Sequence, residues 1–166
     1  LEALNGKDVR QLTELPLADD GAQWRMADDK WDGAILIGYD GKPTSLTLKA
    51  TYGNSLPVKE IREGAFRGND ALAKLVVAEG IESLSSYCFE DCANLTDVTL
   101  PETLTKLGYN TFTRCGANAN ETFYYILPDG LTEESAFREC AAGLVCSKGS
   151  QTALLLSQHA LNITFP

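Results

Sequence analysis

Apolar and polar positions recur along this chain with a fixed period. Phe66, Phe89, Phe112 and Phe137 are separated by 23, 23 and 25 residues, and Asn69, Cys92, Cys115 and Cys140 stand three positions after them. One position before each Phe sits a small residue: Ala65, Cys88, Thr111 or Ala136. The pairs Leu72 and Leu95, Leu75 and Val98, Val77 and Leu100, Ile81 and Leu104, and Leu84 and Leu107 are again 23 apart. Self-similarity of this kind outranks any single local signal.

The unit has a physical reading. Val98 and Leu100 alternate with Asp97 and Thr99, the period of a half-buried strand. Pro101 ends that strand because it has no N–H for a ladder. Leu104 and Leu107 follow at helical or turn spacing, and Phe112 and Cys115 fall on one face of a short helical turn. Each unit is thus a short strand, a bend and a turn of helix leading to the next strand. So small a unit buries its apolar side only by stacking on neighbours.

The stretches IREGAFRGNDALAKLVVAEGIESL and LSSYCFEDCANLTDVTLPETLTKL resemble BspA-type leucine-rich repeats, marked by Phe, then Cys, then Leu, each three residues on. The preceding DGAILIGYDGKPTSLTLKATYGNSLPVKEI is similar to the degenerate first repeat of such arrays. The ending LVCSKGSQTALLLSQHALNITF resembles their last element, a Gly-Ser turn, a helix and a closing strand. Two departures stand out: Asn69 replaces the first Cys, and an insertion at 116–122 distorts or protrudes from the approach to the strand at 123–127.

The expected fold is an α/β solenoid, a right-handed leucine-rich repeat of four to five strand-plus-helical-turn units of about 23 residues, capped at both ends. Residues 1–31 form an N-terminal cap or linker. Residues 32–166 form the repeat domain, with a degenerate repeat at 32–60, full repeats at 61–140 and a C-terminal cap at 141–166. Ser150 is the expected N-cap of a helix through Ala160, with Leu154 and Leu161 on one face. Asn162 serves as a left-handed C-cap, and Ile163 and Phe165 point inward on a last strand. At the other end, residues 8–15 suit a short helix and 16–21 a turn, while Trp24 and Trp31 cover the stack.

Length and composition agree with one domain. The chain has 166 residues, 44% hydrophobic and 22% charged, enough for a core without staples. A net charge of −9 argues against nucleic acid and against docking on anionic lipid. No apolar run has the length of a membrane-spanning helix. The chain opens at Leu1 without a leader pattern, and a signal peptide, absent here, is expected to have been removed.

Candidate chemistry is sparse. Five cysteines cannot all pair internally. Cys92, Cys115 and Cys140 occupy equivalent positions, either as a column of buried thiols or with one disulfide between neighbours. Cys88 and Cys92 lack metal-finger spacing, and no second cluster completes a ligand set. His159 has no evident nucleophile and acid for a triad and gains from a helix C-terminus. The KGSQT stretch at 148–152 lacks both the phosphate-loop and the nucleophile-elbow pattern. Asp19–Asp20, Asp28–Asp29 and Glu133–Glu134 read as solvated surface, and sequons at Asn94, Asn120 and Asn162 reflect repeat composition. No catalytic residue, cofactor or metal is expected.

The remaining candidate is a surface. Aligning the strands on Leu48, Val77, Leu100 and Leu127 sends Leu46, Leu75, Val98 and Tyr125 inward. The outward columns are then Ser45, Lys74, Asp97 and Tyr124, and beside them Thr47, Val76, Thr99 and Ile126. Stacked strands merge into an extended platform, and exposed Tyr is favoured at binding hot spots. The resemblance implies a secreted or surface-displayed bacterial protein, a non-enzymatic adhesion module for a host or cell-surface protein or glycan. A monomer without membrane insertion is expected. The alternative is a spacer that displays other domains and has no ligand of its own.

Overall fold

The computed structural model describes residues 22–27, 33–39, 41–53, 55–133, 135–158, 161 and 163–166. The chain forms β1 (Ala22–Met26), β2 (Ala34–Tyr39), β3 (Ser45–Leu48), β4 (Thr51–Tyr52), β5 (Leu56–Ile61) and β6 (Lys74–Val77). It continues through β7 (Ser83–Leu84), β8 (Asp97–Thr99), β9 (Lys106–Leu107), β10 (Tyr124–Ile126), β11 (Gly143–Val145), α1 (Gln151–Ser157) and β12 (Ile163–Thr164). The result is a β-solenoid of about five turns. Its main wall is a six-stranded sheet in the order β12-β11-β10-β8-β6-β3, with every pair parallel.

The core is a set of columns, one residue per turn. Phe66, Phe89, Phe112 and Phe137 stack with centroids 5.3, 5.5 and 5.6 Å apart and rings within 9° of parallel. Tyr39 of the degenerate repeat takes the next place, 5.9 Å from Phe66 but tilted by 48°. The inward strand residues Leu46, Leu75, Val98, Tyr125 and Leu144 are all buried. Tyr125 fits because its hydroxyl donates to Leu95 O at 2.6 Å, so the one polar atom in that column is paired.

The returning segments are turns, not the helical turns that the Phe-to-Cys spacing suggests. Among the described residues α1 is the one α-helix, beside a 3-10 turn at Ser135–Phe137. Backbone N–H groups explain the difference. In a helix they would bond within their own segment, four residues back. Here alternate N–H groups point along the stack: Phe66 N donates to Cys88 O at 2.9 Å, Phe89 N to Thr111 O at 2.9 Å and Phe112 N to Ala136 O at 2.7 Å. The residues two before Phe66, Phe89 and Phe112 (Gly64, Tyr87 and Asn110) and two after all four (Gly68, Asp91, Arg114 and Glu139) adopt positive φ to do this, while Ser135 before Phe137 opens a 3-10 turn instead. Each such non-glycine residue carries about 1–2 kcal/mol of left-handed strain, offset by its place in the inter-repeat ladder.

The thiols belong to the same scheme. Cys92 Sγ donates to Phe66 O at 3.3 Å and Cys115 Sγ to Phe89 O at 3.1 Å, each reaching back one repeat. Cys88 Sγ and Thr111 Oγ1, both just before a Phe, reach back likewise to Arg62 O and Ser85 O at 3.4 Å. Asn69 departs from the Cys pattern because its upstream neighbour is irregular. Its longer amide donates to Pro43 O at 3.2 Å and accepts from Ala71 N at 3.1 Å.

The two ends depart from expectation. Trp24 alternates inward with Ala22 and Met26 on β1, its ring 5.4 Å from Tyr52, and is buried against the core. β1 pairs antiparallel with β2 in a four-stranded sheet of order β1-β2-β5-β4, so the described part of 1–31 is bonded to the first repeat. The expected helix at 8–15, the turn at 16–21 and Trp31 lie outside the described residues. At the C-terminus Ser150 Oγ accepts from Ala153 N at 3.0 Å, the expected N-cap. The helix, however, ends at Ser157, and Thr152, Ala153 and Leu156 form its buried face while Leu154 is exposed. Thr152 fixes that rotation, since its hydroxyl donates to Pro128 O at 2.6 Å and accepts from Leu131 N at 2.9 Å. Phe165 lies one residue past β12 and is exposed rather than inward, while Ile163 packs against the core. Ala160 and Asn162 lie outside the described residues.

Candidate binding surface

The outward residues of the six-stranded sheet are set by its register. Ser45 pairs with Lys74 and Thr47 with Val76 across β3 and β6. Lys74 then pairs with Asp97 and Val76 with Thr99 across β6 and β8. Ile126 meets Thr99, and Tyr124 and Ile126 meet Gly143 and Val145 on β11. The two outward rows therefore run in the order the strand alignment expects, and Val76 is the one half-buried member of the eight.

The face is chemically uneven. At its N-terminal half Lys74 Nζ lies 2.7 Å from Asp97 Oδ2, so the two charges satisfy each other in solvent. Its C-terminal half is apolar: Tyr124 is 53% and Ile126 71% exposed. The Tyr124 ring lies over Gly143, where an added Cβ would come within 2.6 Å of it, so the missing side chain makes room for the ring. Tyr124 is thereby seated on backbone, which limits its freedom before any partner arrives.

The insertion at 116–122 frames this half. Gly116 N donates to Cys92 O at 3.2 Å and Asn118 N to Ala93 O at 3.0 Å, which keeps the loop on the stack. Phe123 packs on Gly116, whose positive φ and ring contact both exclude a side chain. Asn118 Nδ2 donates to Asn94 Oδ1 at 3.2 Å, and Asn94 in turn donates to Asp70 O. The Asn94 sequon amide is therefore already bonded within the loop stripe.

A further row was missed by the sequence reading. Glu79, Glu102 and Asp129 are exposed and stand three residues past Val76, Thr99 and Ile126. Each accepts a backbone N–H from the next turn: Glu79 from Glu102 N at 3.3 Å, Glu102 from Asp129 N at 3.4 Å and Asp129 from Ser147 N at 3.4 Å. The signal was an acid in the turn after each strand, obscured at the third by the insertion.

The other candidates do not assemble a reactive centre among the described residues. All five cysteines are free thiols. Burial pushes Cys88 and Cys92 up to about 12 and Cys140 to about 11, so they are neutral and unreactive at physiological pH. Cys115 rises as well, through burial and the neighbouring Cys140 and Cys92. Buried Glu90 is clamped between Arg67, at 2.6 Å, and Arg114, at 3.0 Å, and Arg114 also lies 2.6 Å from Asp91. The Arg114 hydrogen bond holds the Asp91 carboxyl below its usual range. This is a structural clasp across three repeats. Among the described residues no group of three His, Cys, Asp or Glu is disposed to hold a metal ion, and no helix is long and apolar enough to cross a membrane. His159, Asp19, Asp20, Asp28, Asp29 and Glu134 lie outside the described residues.

A family model described as BspA type leucine rich repeat region matches residues 50–144 in six copies. A search of curated proteins gives no significant match. A leucine-rich repeat protein of T. pallidum is 24% identical over 80% of this chain and 71% of its own, with a TM-score of 0.57. One from Bacteroides capillosus is 21% identical over 81% of this chain and 99% of its own, with a TM-score of 0.62. A leucine rich cell surface protein of Faecalibacterium prausnitzii is 18% identical over 90% of this chain and 42% of its own, with a TM-score of 0.56. At these identities the solved structures establish the fold.

Proposed function

The chain belongs to the BspA-type leucine-rich repeat family, and on that premise we propose that it is a non-catalytic adhesion module that binds a protein or glycan on its strand face. The supporting observation is that exposed Tyr124 and Ile126 are successive outward residues, on either side of inward Tyr125, in a continuous parallel ladder. The site comprises Ser45, Thr47, Lys74, Val76, Asp97, Thr99, Tyr124 and Ile126, with Tyr124 and Ile126 as its anchors. A platform already held by backbone hydrogen bonds loses little ordering entropy on association. Placement at the cell surface or in secreted form is part of the proposal, in keeping with the F. prausnitzii neighbour described as a cell surface protein.

One observation favours a spacer instead: the Lys74–Asp97 pair leaves the N-terminal half of the face self-neutralised. A screen against immobilised extracellular-matrix proteins and glycans separates the readings. Saturable binding by the native chain, lost in Tyr124→Ala/Ile126→Ser at unchanged thermal stability, is the expected result. Binding that survives the double variant moves the site elsewhere, and no binding at all leaves the spacer.

A further inference from the structure

The strand face is bordered along one edge by three carboxylates on successive turns. Beyond Val76, Thr99 and Ile126, at the C-terminal ends of β6, β8 and β10, the exposed carboxylates of Glu79, Glu102 and Asp129 form a row parallel to the outward residues. Some acids elsewhere on the solenoid are neutralised by a cation, while among the described residues exposed Glu63, Glu82 and Glu121 also carry no ion pair. Asp70 pairs with Lys42, Asp97 with Lys74, and Glu90 and Asp91 with Arg114. Among the described residues no lysine, arginine or histidine lies within 4 Å of Glu79, Glu102 or Asp129. Their contacts are the long bonds from backbone N–H groups, 3.3 to 3.4 Å, which fix each carboxylate in place and leave its charge unneutralised. In register, Lys148 bounds the row at its C-terminal end.

We infer that the partner of this face is a basic protein segment, whose apolar side chains cover Tyr124 and Ile126 while its lysines or arginines meet the Glu79–Glu102–Asp129 row. The inference rests on the strand-face reading and adds the chemistry of the occupant. Charge complementarity decides it: a protein of net charge −9 with a fixed acidic margin beside its exposed apolar side chains repels acidic partners and draws basic ones in. A row of carboxylates along the edge of the face suits a basic segment lying across the strands, its long flexible side chains reaching the acids.

The probe is a synthetic peptide alternating lysine and leucine, with a glutamate–leucine twin, measured by surface plasmon resonance on the full chain at low and high salt. The lysine peptide is expected to bind and the glutamate twin not to. Glu79→Gln/Glu102→Gln/Asp129→Asn keeps one acceptor oxygen at each position for the backbone N–H, while removing the charge. It is expected to slow association about tenfold at low salt and to flatten the salt dependence. A control with equal charge removed elsewhere, Glu63→Gln/Glu121→Gln/Glu139→Gln, is expected to change association less than about threefold. Tyr124→Ala is expected to act mainly on dissociation. Equal losses in row and control variants mean general attraction to net charge and overturn the inference, as does binding of the glutamate twin. If a matrix ligand depends on Tyr124 and Ile126 but is indifferent to the row triple, the strand-face reading stands and this inference falls.

Discussion

The Phe column makes a quantitative demand on stability. Phe112 is fully buried and meets three rings: Phe89 at 5.5 Å, Phe137 at 5.6 Å and Tyr125 edge-on at 5.9 Å. Phe137, 2% exposed, meets only Phe112 among the ring pairs of the described residues. Replacement by Leu keeps most of the apolar volume and removes the ring contacts, each worth about 0.5–1.5 kcal/mol beyond area burial. Phe112→Leu is therefore expected to cost about 1–3 kcal/mol more than Phe137→Leu, a large share of a total stability of about 5–15 kcal/mol. Urea unfolding followed by tryptophan fluorescence and circular dichroism gives both values, with unchanged m-values as the check that folded and unfolded states are comparable. Phe112→Ala adds the cavity term, about 3–5 kcal/mol in all, and serves as the upper bound. Equal costs for the two leucine variants, within about 0.5 kcal/mol, would refute the ring-stacking account and leave the phenylalanines as generic filler.

Other consequences can be measured on the same material. Because burial raises Cys88 and Cys92 from 9.0 to about 12, the unfolded thiols ionise first as pH rises. Stability is then fully present below the unfolded pKa and falls as pH climbs from 9.0 towards 12, which denaturation midpoints across that window will record. In the native state at neutral pH a thiol reagent should label none of Cys88, Cys92 and Cys115 within the mixing time, and all of them after unfolding; early labelling contradicts the buried column. Restoring the repeat pattern with Asn69→Cys should destabilise by about 1–2 kcal/mol, since the shorter thiol cannot replace both amide bonds. Glu139→Gly, at φ 54, should raise the melting temperature by relieving about 0.5–1 kcal/mol of net left-handed strain. Neutralising the exposed pair with Asp97→Asn should cost less than about 1 kcal/mol.

What was legible in the sequence is what repeats. The inward and outward strand columns follow from a period-two pattern nested in a period of 23, and a one-residue slip would have turned every side chain over. The left-handed turns were not legible, because the signal for positive φ is glycine and only Gly64 and Gly68 of the first repeat carry it. Tyr87, Asp91, Arg114 and Glu139 hold the same conformation without it, under the pull of the inter-repeat ladder. The N-terminal sheet was hidden for a different reason. β1, β2, β4 and β5 pair partly antiparallel and outside the period, so the alternation of Ala22, Trp24 and Met26 had no repeat to mark it as a strand. The face of α1 was misjudged because Leu154 and Leu161 outbid Thr152 on hydrophobicity. The turn at Pro128 and Leu131 needs the Thr152 hydroxyl, and that need sets the rotation. The acidic row went unremarked because each acid alone reads as an ordinary turn residue.

The residues a ligand touches distinguish the strand face from every other surface of the solenoid. The most direct measurement is backbone and methyl NMR of the isotope-labelled chain, titrated with a ligand from the matrix and glycan screen. Shifts concentrated at Thr99, Tyr124, Ile126 and Val145, with the ladder amides otherwise unmoved, are the predicted result. Shifts centred on exposed Tyr109 and the returning turns, with the strand face silent, would contradict it.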